Sequence, residues 1–159
     1  MIRRPPPSSL QPPLDSADEV EAAFYEALQQ ADLQRLVSLF ADDDEIVCVH
    51  PGGGRLVGLA AIRDSFEQVF SHGPVPARPE QVVRMHHGDF ALHHLVEVIE
   101  PPAREAAAGE AGGGKPQRAW VLATNVYRRT PLGWRMVAHH ASPSLPPAGG
   151  PPAAPSTLH

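Results

Sequence analysis

Ile46-Val47-Cys48-Val49-His50-Pro51-Gly52-Gly53-Gly54-Arg55-Leu56-Val57-Gly58 is the stretch where the chain turns from helix into sheet. Ile46 to Val49 is a short β-branched run with one small thiol, the pattern of a buried strand, and it ends on an imidazole followed by proline. The three glycines allow a tight reversal, Leu56-Val57 reads as a second short strand, and Gly58 frees the chain to start a helix. His50 is therefore a titratable group at the end of a buried strand and the first candidate for chemistry. Cys48 alternates away from Val47 and Val49 and reads as a small buried hydrophobe.

Working outward, Ser16-Ala17-Asp18-Glu19 is a capping box that starts a helix. Val20, Ala23, Phe24, Ala27, Leu28 and Ala31 form its apolar stripe, with Glu21, Glu26 and Gln29 expected to face solvent. Asp32 caps a second helix carrying Leu33, Leu36, Val37 and Phe40, and the Asp42-Asp43-Asp44 run stops it. Beyond Gly58, Leu59, Ile62, Phe66, Val69 and Phe70 mark a third helix, closed by His72-Gly73-Pro74. The pattern then changes to period two. Strands over 80–87 and 90–100 flank Gly88-Asp89, a hairpin signal that sets Met85 opposite Leu92, Val83 opposite His94 and Val82 opposite Leu95. Two more strands, 118–129 and 134–142, meet at Thr130-Pro131-Leu132-Gly133, and the Gly- and Ala-rich 101–117 segment is expected to be a mobile loop. This order predicts an α+β domain with three helices packed on one face of a curved antiparallel sheet. A second subunit is expected on the other face, which is also partly apolar.

The chain of 159 residues fits one domain at 15–142, because the Pro-rich tails 1–14 and 143–159 lack the apolar area to offset ordering entropy and are expected to be disordered. With 13 Lys plus Arg against 18 Asp plus Glu, a net charge of −5 and no basic block among aromatics, a nucleic-acid partner is not expected. Arg3-Arg4 is followed by Pro5-Pro6-Pro7 where an export signal would need an apolar run. No stretch approaches the ~20 apolar residues of a membrane span, so a cytoplasmic, non-membrane protein is expected. The single cysteine suits a reducing compartment, and the wealth of Ala, Pro, Gly and Arg is that of a GC-rich bacterial gene.

Phe24-Tyr25-Glu26-Ala27-Leu28, Leu39-Phe40-Ala41-Asp42-Asp43, the His50-Pro51-Gly52-Gly53 turn, Gly58-x-x-Ala61-Ile62, Thr124-Asn125-Val126-Tyr127 and Gly133-Trp134-Arg135-Met136 together resemble a SnoaL-like member of the nuclear transport factor 2-like superfamily. The resemblance covers most of 16–142 and implies a cone-shaped fold, commonly dimeric, that hosts ketosteroid isomerases, cyclases, dehydratases and association domains. Against the ketosteroid isomerase pattern, His50 falls at the aspartate general base and Asn125 at the protonated aspartate donor. Phe24 falls at the oxyanion-hole tyrosine. Phenylalanine donates no hydrogen bond, so the resemblance does not carry that mechanism over.

These readings single out His50, Asn125 and His140 as catalytic candidates, His140 because alternation sets it with Trp134, Met136 and Ala138 on the cavity side and His139 on the other. Phe24, Phe66, Phe70, Met85, Tyr127 and Trp134 are expected to line the pocket, and Trp120 to face a partner subunit. A bland reading stands beside this one, in which His50 braces its turn and Asn125 satisfies a backbone group. His86-His87, His93-His94 and His139-His140 point to opposite faces as neighbours on a strand, so no pair chelates one ion, and no metal or cofactor is expected. The expected function is binding of a small apolar or carbonyl-containing molecule by a homodimer, acting as an isomerase or lyase through histidine acid–base chemistry. Its rival is a non-enzymatic association module.

Overall fold

Ser16 starts the first helix by accepting the Glu19 N–H on its hydroxyl at 3.1 Å, while the Glu19 carboxylate reaches back to the N–H of Asp15 at 2.7 Å. The structure, a computed structural model, describes residues 14–101 and 117–146. The expectations of disordered tails and a mobile loop fall almost wholly outside those residues. In chain order the elements are α1 (Ala17–Gln30), α2 (Leu33–Ser38), β1 (Val47–Val49), β2 (Arg55–Val57), α3 (Leu59–Ser71), β3 (Ala77–His87), β4 (Phe90–Ile99), β5 (Ala119–Thr130) and β6 (Gly133–Ser144). None of the helices among the described residues is long and apolar enough to cross a membrane.

The α1 stripe buries Val20, Ala23, Phe24, Ala27 and Leu28 as its spacing requires. It is wider than the spacing suggested, because Glu21 and Tyr25 are buried too. Glu21 was expected in solvent and instead points at the sheet, where a histidine receives it. Asp32 caps α2 through the Arg35 N–H at 3.0 Å.

The strands form a single sheet in the order β2-β1-β6-β5-β4-β3. The Gly88-Asp89 hairpin sets Met85 opposite Leu92 and Val83 opposite His94, as expected. The sheet is not wholly antiparallel, however. β1 runs parallel to β6, with Val47, Cys48 and Val49 beside Ala138, His139 and His140, and thereby covers what would be an open edge of β6.

Two bulges correct the expected faces. Gln81, at φ 51°, is the extra residue between the Glu80–Val96 and Val83–His94 pairs, so Val82 shares Leu95 with it. On β6, Tyr127 faces Met136 but Val126 faces Ala138, which leaves Val137 as the inserted residue. One extra residue reverses the alternation beyond it. Trp134 and Met136 therefore share the helix-covered face with His139 and Ala141, all buried, and His140 is exposed on the opposite face.

The covered face also carries His93, Leu95 and Glu97 of β4 and Ala123, Asn125 and Tyr127 of β5. Against them pack Phe24 and Tyr25 of α1, Leu36 of α2 and Ile62 and Phe66 of α3, and Phe70 joins from a half-buried position. Met85, expected to face inward, stands on the opposite face at 56% exposure with Val83 at 57% and Leu122 at 38%. At the β5–β6 turn, Gly133 has φ +106° and a Cβ there would lie 2.7 Å from the Leu14 carbonyl, which accepts the Trp134 N–H. That contact ties the start of α1 to the sheet.

Candidate functional site

Burial of a polar side chain costs ~1–3 kcal/mol unless it is hydrogen-bonded, so a polar group on the covered face must find a partner there. Four of them find each other. The Tyr25 hydroxyl on α1 donates to Glu97 Oε1 on β4 at 2.8 Å, and Asn125 Nδ2 on β5 donates to Tyr25 Oη at 3.1 Å. His139 Nδ1 on β6 donates to Asn125 Oδ1 at 2.5 Å. The donors run one way, from His139 through Asn125 and Tyr25, and end on the Glu97 carboxyl. The His139 Nε2 atom, left as the unprotonated nitrogen, faces Glu97 Oε1 from 3.9 Å.

Asn125 is fully buried and Tyr25, Glu97 and His139 are nearly so. Burial, against the pull of the Tyr25 hydrogen bond, raises the Glu97 carboxyl to about 7. Burial, helped by the nearby imidazoles of His50 and His140, lowers His139 to about 3. At neutral pH the cluster thus holds a carboxyl half-way through its titration beside a neutral imidazole. Phe24 packs against Tyr25 and His139, its ring centroid 5.1 Å from each of theirs, and the Phe66 ring follows at 6.3 Å.

His50 sits at the edge of this cluster, at the end of β1. Its Nε2 meets Ser65 Oγ of α3 at 2.7 Å, and its ring stands edge-on to Phe66 at 4.8 Å. Half-burial lowers its pKa below the ordinary value. His50 and Asn125 thus share no hydrogen bond; the charge of His50 is felt by His139, which binds Asn125. Cys48 is fully buried and burial pushes its thiol up to about 12, which suits its reading as an apolar filler.

A second cluster holds the first turns of α1 to the sheet. Glu21 Oε2 binds His93 Nδ1, Asp18 approaches His93 Nε2 at 3.5 Å, and Arg84 on β3 meets Asp18 at 3.0 Å and Glu21 at 3.5 Å. Tyr127 stacks on His93 at 4.8 Å, and its buried hydroxyl has no hydrogen-bond partner among the described residues. A cavity of about 260 Å³ opens beside this cluster, walled by Trp134, His86, Arg129 and the first turn of α1, with Met85 at its rim. Trp134 therefore does line this cavity, and His50 does not. Among the described residues no three His, Cys, Asp or Glu side chains converge as a metal centre would need.

Of the expected site residues, Phe24, Phe66, Asn125 and Tyr127 are brought together inside, His50 and Phe70 lie at the margin, and Met85 and His140 face away. Tyr25, Glu97 and His139 were not singled out. One signal for Glu97 was available. It is a carboxylate in mid-strand, flanked by Val96, Val98 and Ile99, where an unpaired charge is not tolerated.

A helix layer on one face of a bent, mostly antiparallel sheet, with polar side chains meeting under the first helix, defines the nuclear transport factor 2-like class. Within it the family is specific: the model of the SnoaL-like domain matches residues 18–146, and the chain belongs to that family. A solved structure from Thiobacillus denitrificans, provisionally described as a calcium/calmodulin-dependent protein kinase type II association domain, is 31% identical with a TM-score of 0.71, covering 85% of this chain and 100% of its own. One from Streptomyces avermitilis, provisionally described as a dehydratase of the nuclear transport factor 2-like family, is 32% identical with a TM-score of 0.65, covering 80% of this chain and 93% of its own. A ketosteroid isomerase-like protein from Erwinia carotovora, at 18% identity and a TM-score of 0.59 over 81% of this chain and 94% of its own, shares the fold. No curated protein matches the chain.

Proposed function

We propose that the chain binds a small carbonyl-containing molecule under α1 and acts on it as a lyase or isomerase by acid–base chemistry. The observation that carries this reading is the buried donor chain that ends on Glu97. A core needing only stability would be served as well by apolar side chains of the same volume, whereas this one keeps a carboxyl near neutrality beside a neutral imidazole. Protonated Glu97 supplies the hydrogen-bond donor that Phe24 cannot, so a ligand oxygen placed against it would be polarised. His50 at the margin, held neutral at pH 7 by burial, is the base that would take the proton from the adjacent carbon. His139 takes the buried place that alternation had given to His140. Phe66 packs against Phe24 from α3 with half-buried Phe70 beside it, so a ligand reaching the network from that side would have to displace them.

A thermal-shift screen against small aldehydes, ketones and enones, run on the wild type and on Glu97→Gln and Asn125→Ala, tests this. A compound that raises the melting temperature of the wild type but of neither variant supports the reading. Equal stabilisation of all three proteins, or none by any compound, removes it.

The open sheet face favours a second reading. Val83 and Met85 on β3 and Leu122 on β5 stand exposed on it, with β4 between them, and the Thiobacillus structure is described as an association domain. On that reading the chain is a homodimer or larger assembly built through this face, and the filled interior serves only stability. Light scattering at increasing concentration, with the compound screen negative, would favour it.

A further inference from the structure

His50 is the one titratable group of the region that is half-buried rather than closed in, and so is its partner Ser65. Ser65 Oγ lies 2.7 Å from His50 Nε2, across two elements, the end of β1 and the middle of α3. That is the separation at which an imidazole takes a hydroxyl proton. The edge of the Phe66 ring, 4.8 Å away, fixes the plane of the imidazole. Beside it the Pro51–Gly54 turn leaves open space: a Cβ built at Gly52 or Gly54 would meet nothing within 4 Å. The other candidate nucleophiles here are shut away, with Cys48, Tyr25 and Tyr127 all buried.

We propose that Ser65 and His50 form a nucleophile–base pair that accepts an acyl group from a small activated ester. This goes beyond the ligand chemistry proposed above and shares with it only His50. Ser65 Oγ forms a bond to the ester carbonyl carbon as its proton passes to His50 Nε2. The ester C–O bond then breaks, and the leaving oxygen departs with the electron pair and receives that proton from His50 or from water. The product is an acyl-serine and a free alcohol or phenol, with no oxidant or reductant involved. The ring of His50 is braced by Phe66 and, among the described residues, by no carboxylate, so the second half of the cycle, attack of water on the acyl-serine, is slow. Single acylation, in place of rapid turnover, is therefore the signature. Burial keeps the imidazole unprotonated, and hence free to accept a proton, to pH values below its ordinary 6.5.

The test treats the full chain with p-nitrophenyl acetate near neutral pH, follows the release of p-nitrophenolate, and maps the acetyl group by peptide mass spectrometry. The expected result is a burst of one equivalent, with one acetyl group on Ser65. The burst disappears in Ser65→Ala and slows about a hundred-fold in His50→Gln, which keeps a hydrogen bond to Ser65 but not the base. In the wild type, independently of how any variant folds, the burst rate falls only as pH drops below 6.5 and His50 becomes protonated. An acetyl group on any other residue, His50 included, a burst unchanged in Ser65→Ala, a rate flat through the acid range, or no burst at all would each overturn the proposal.

Discussion

Glu97 and His139 touch the same network yet push stability in opposite directions as pH changes. Glu97 titrates at about 7 when folded against 4.5 ordinarily, so the stability linked to its proton is fully present below 4.5 and is lost as pH rises to 7. His139 titrates at about 3 against 6.5, so its contribution is present above 6.5 and is lost as pH falls toward 3. Between 4.5 and 6.5 the two oppose each other, and the wild type is expected to be nearly insensitive to pH there. Glu97→Gln leaves the histidine alone, and its stability to urea should fall on acidification by about 1.4 kcal/mol per pH unit. His139→Gln leaves the carboxyl alone, and its stability should rise on acidification at about the same slope. Parallel profiles for the two variants would show that one of the two shifts is absent. At this scale the sequence disclosed Asn125, Tyr127, Phe24 and Phe66. It could not disclose His139, because the exchange of faces with His140 depends on one inserted residue, Val137, that no alternation rule marks.

Single elements were easier to read than the joints between them. The Ser16 cap, the Asp32 cap and the Gly88-Asp89 hairpin act through atoms a few residues apart, so sequence spacing was enough to place them. The parallel docking of β1 on β6 and the bulges in β3 and β6 are set by packing between distant segments, which spacing does not encode. The same holds for α1, whose buried width was underestimated. Its Glu21 is held by His93, a residue 72 positions away. Two substitutions measure how α1 is seated. Ser16→Ala removes the cap and should cost about 1 kcal/mol in unfolding free energy. Glu21→Ala strands His93 against the sheet and should cost about 3 kcal/mol. A Glu21→Ala protein as stable as Ser16→Ala would mean that the pair does not anchor the helix.

Taken whole, the molecule has one face of its sheet closed by helices and the other left apolar. The exposed Val83, Met85 and Leu122 lie on the same side as His140. A homodimer through that face predicts that Leu122→Asp shifts the sedimentation coefficient toward the monomer without lowering the unfolding midpoint of the covered side. Unchanged sedimentation would place any contact elsewhere. The ligand reading, by contrast, depends on the covered side alone, and most directly on the state of Glu97. The decisive measurement is a carboxyl ¹³C NMR titration of that side chain in the intact protein. The account predicts a midpoint near 7, whereas a midpoint at the ordinary 4.5 would contradict it, since Glu97 would then be a fully ionised structural partner of Tyr25 with no proton to donate at neutral pH.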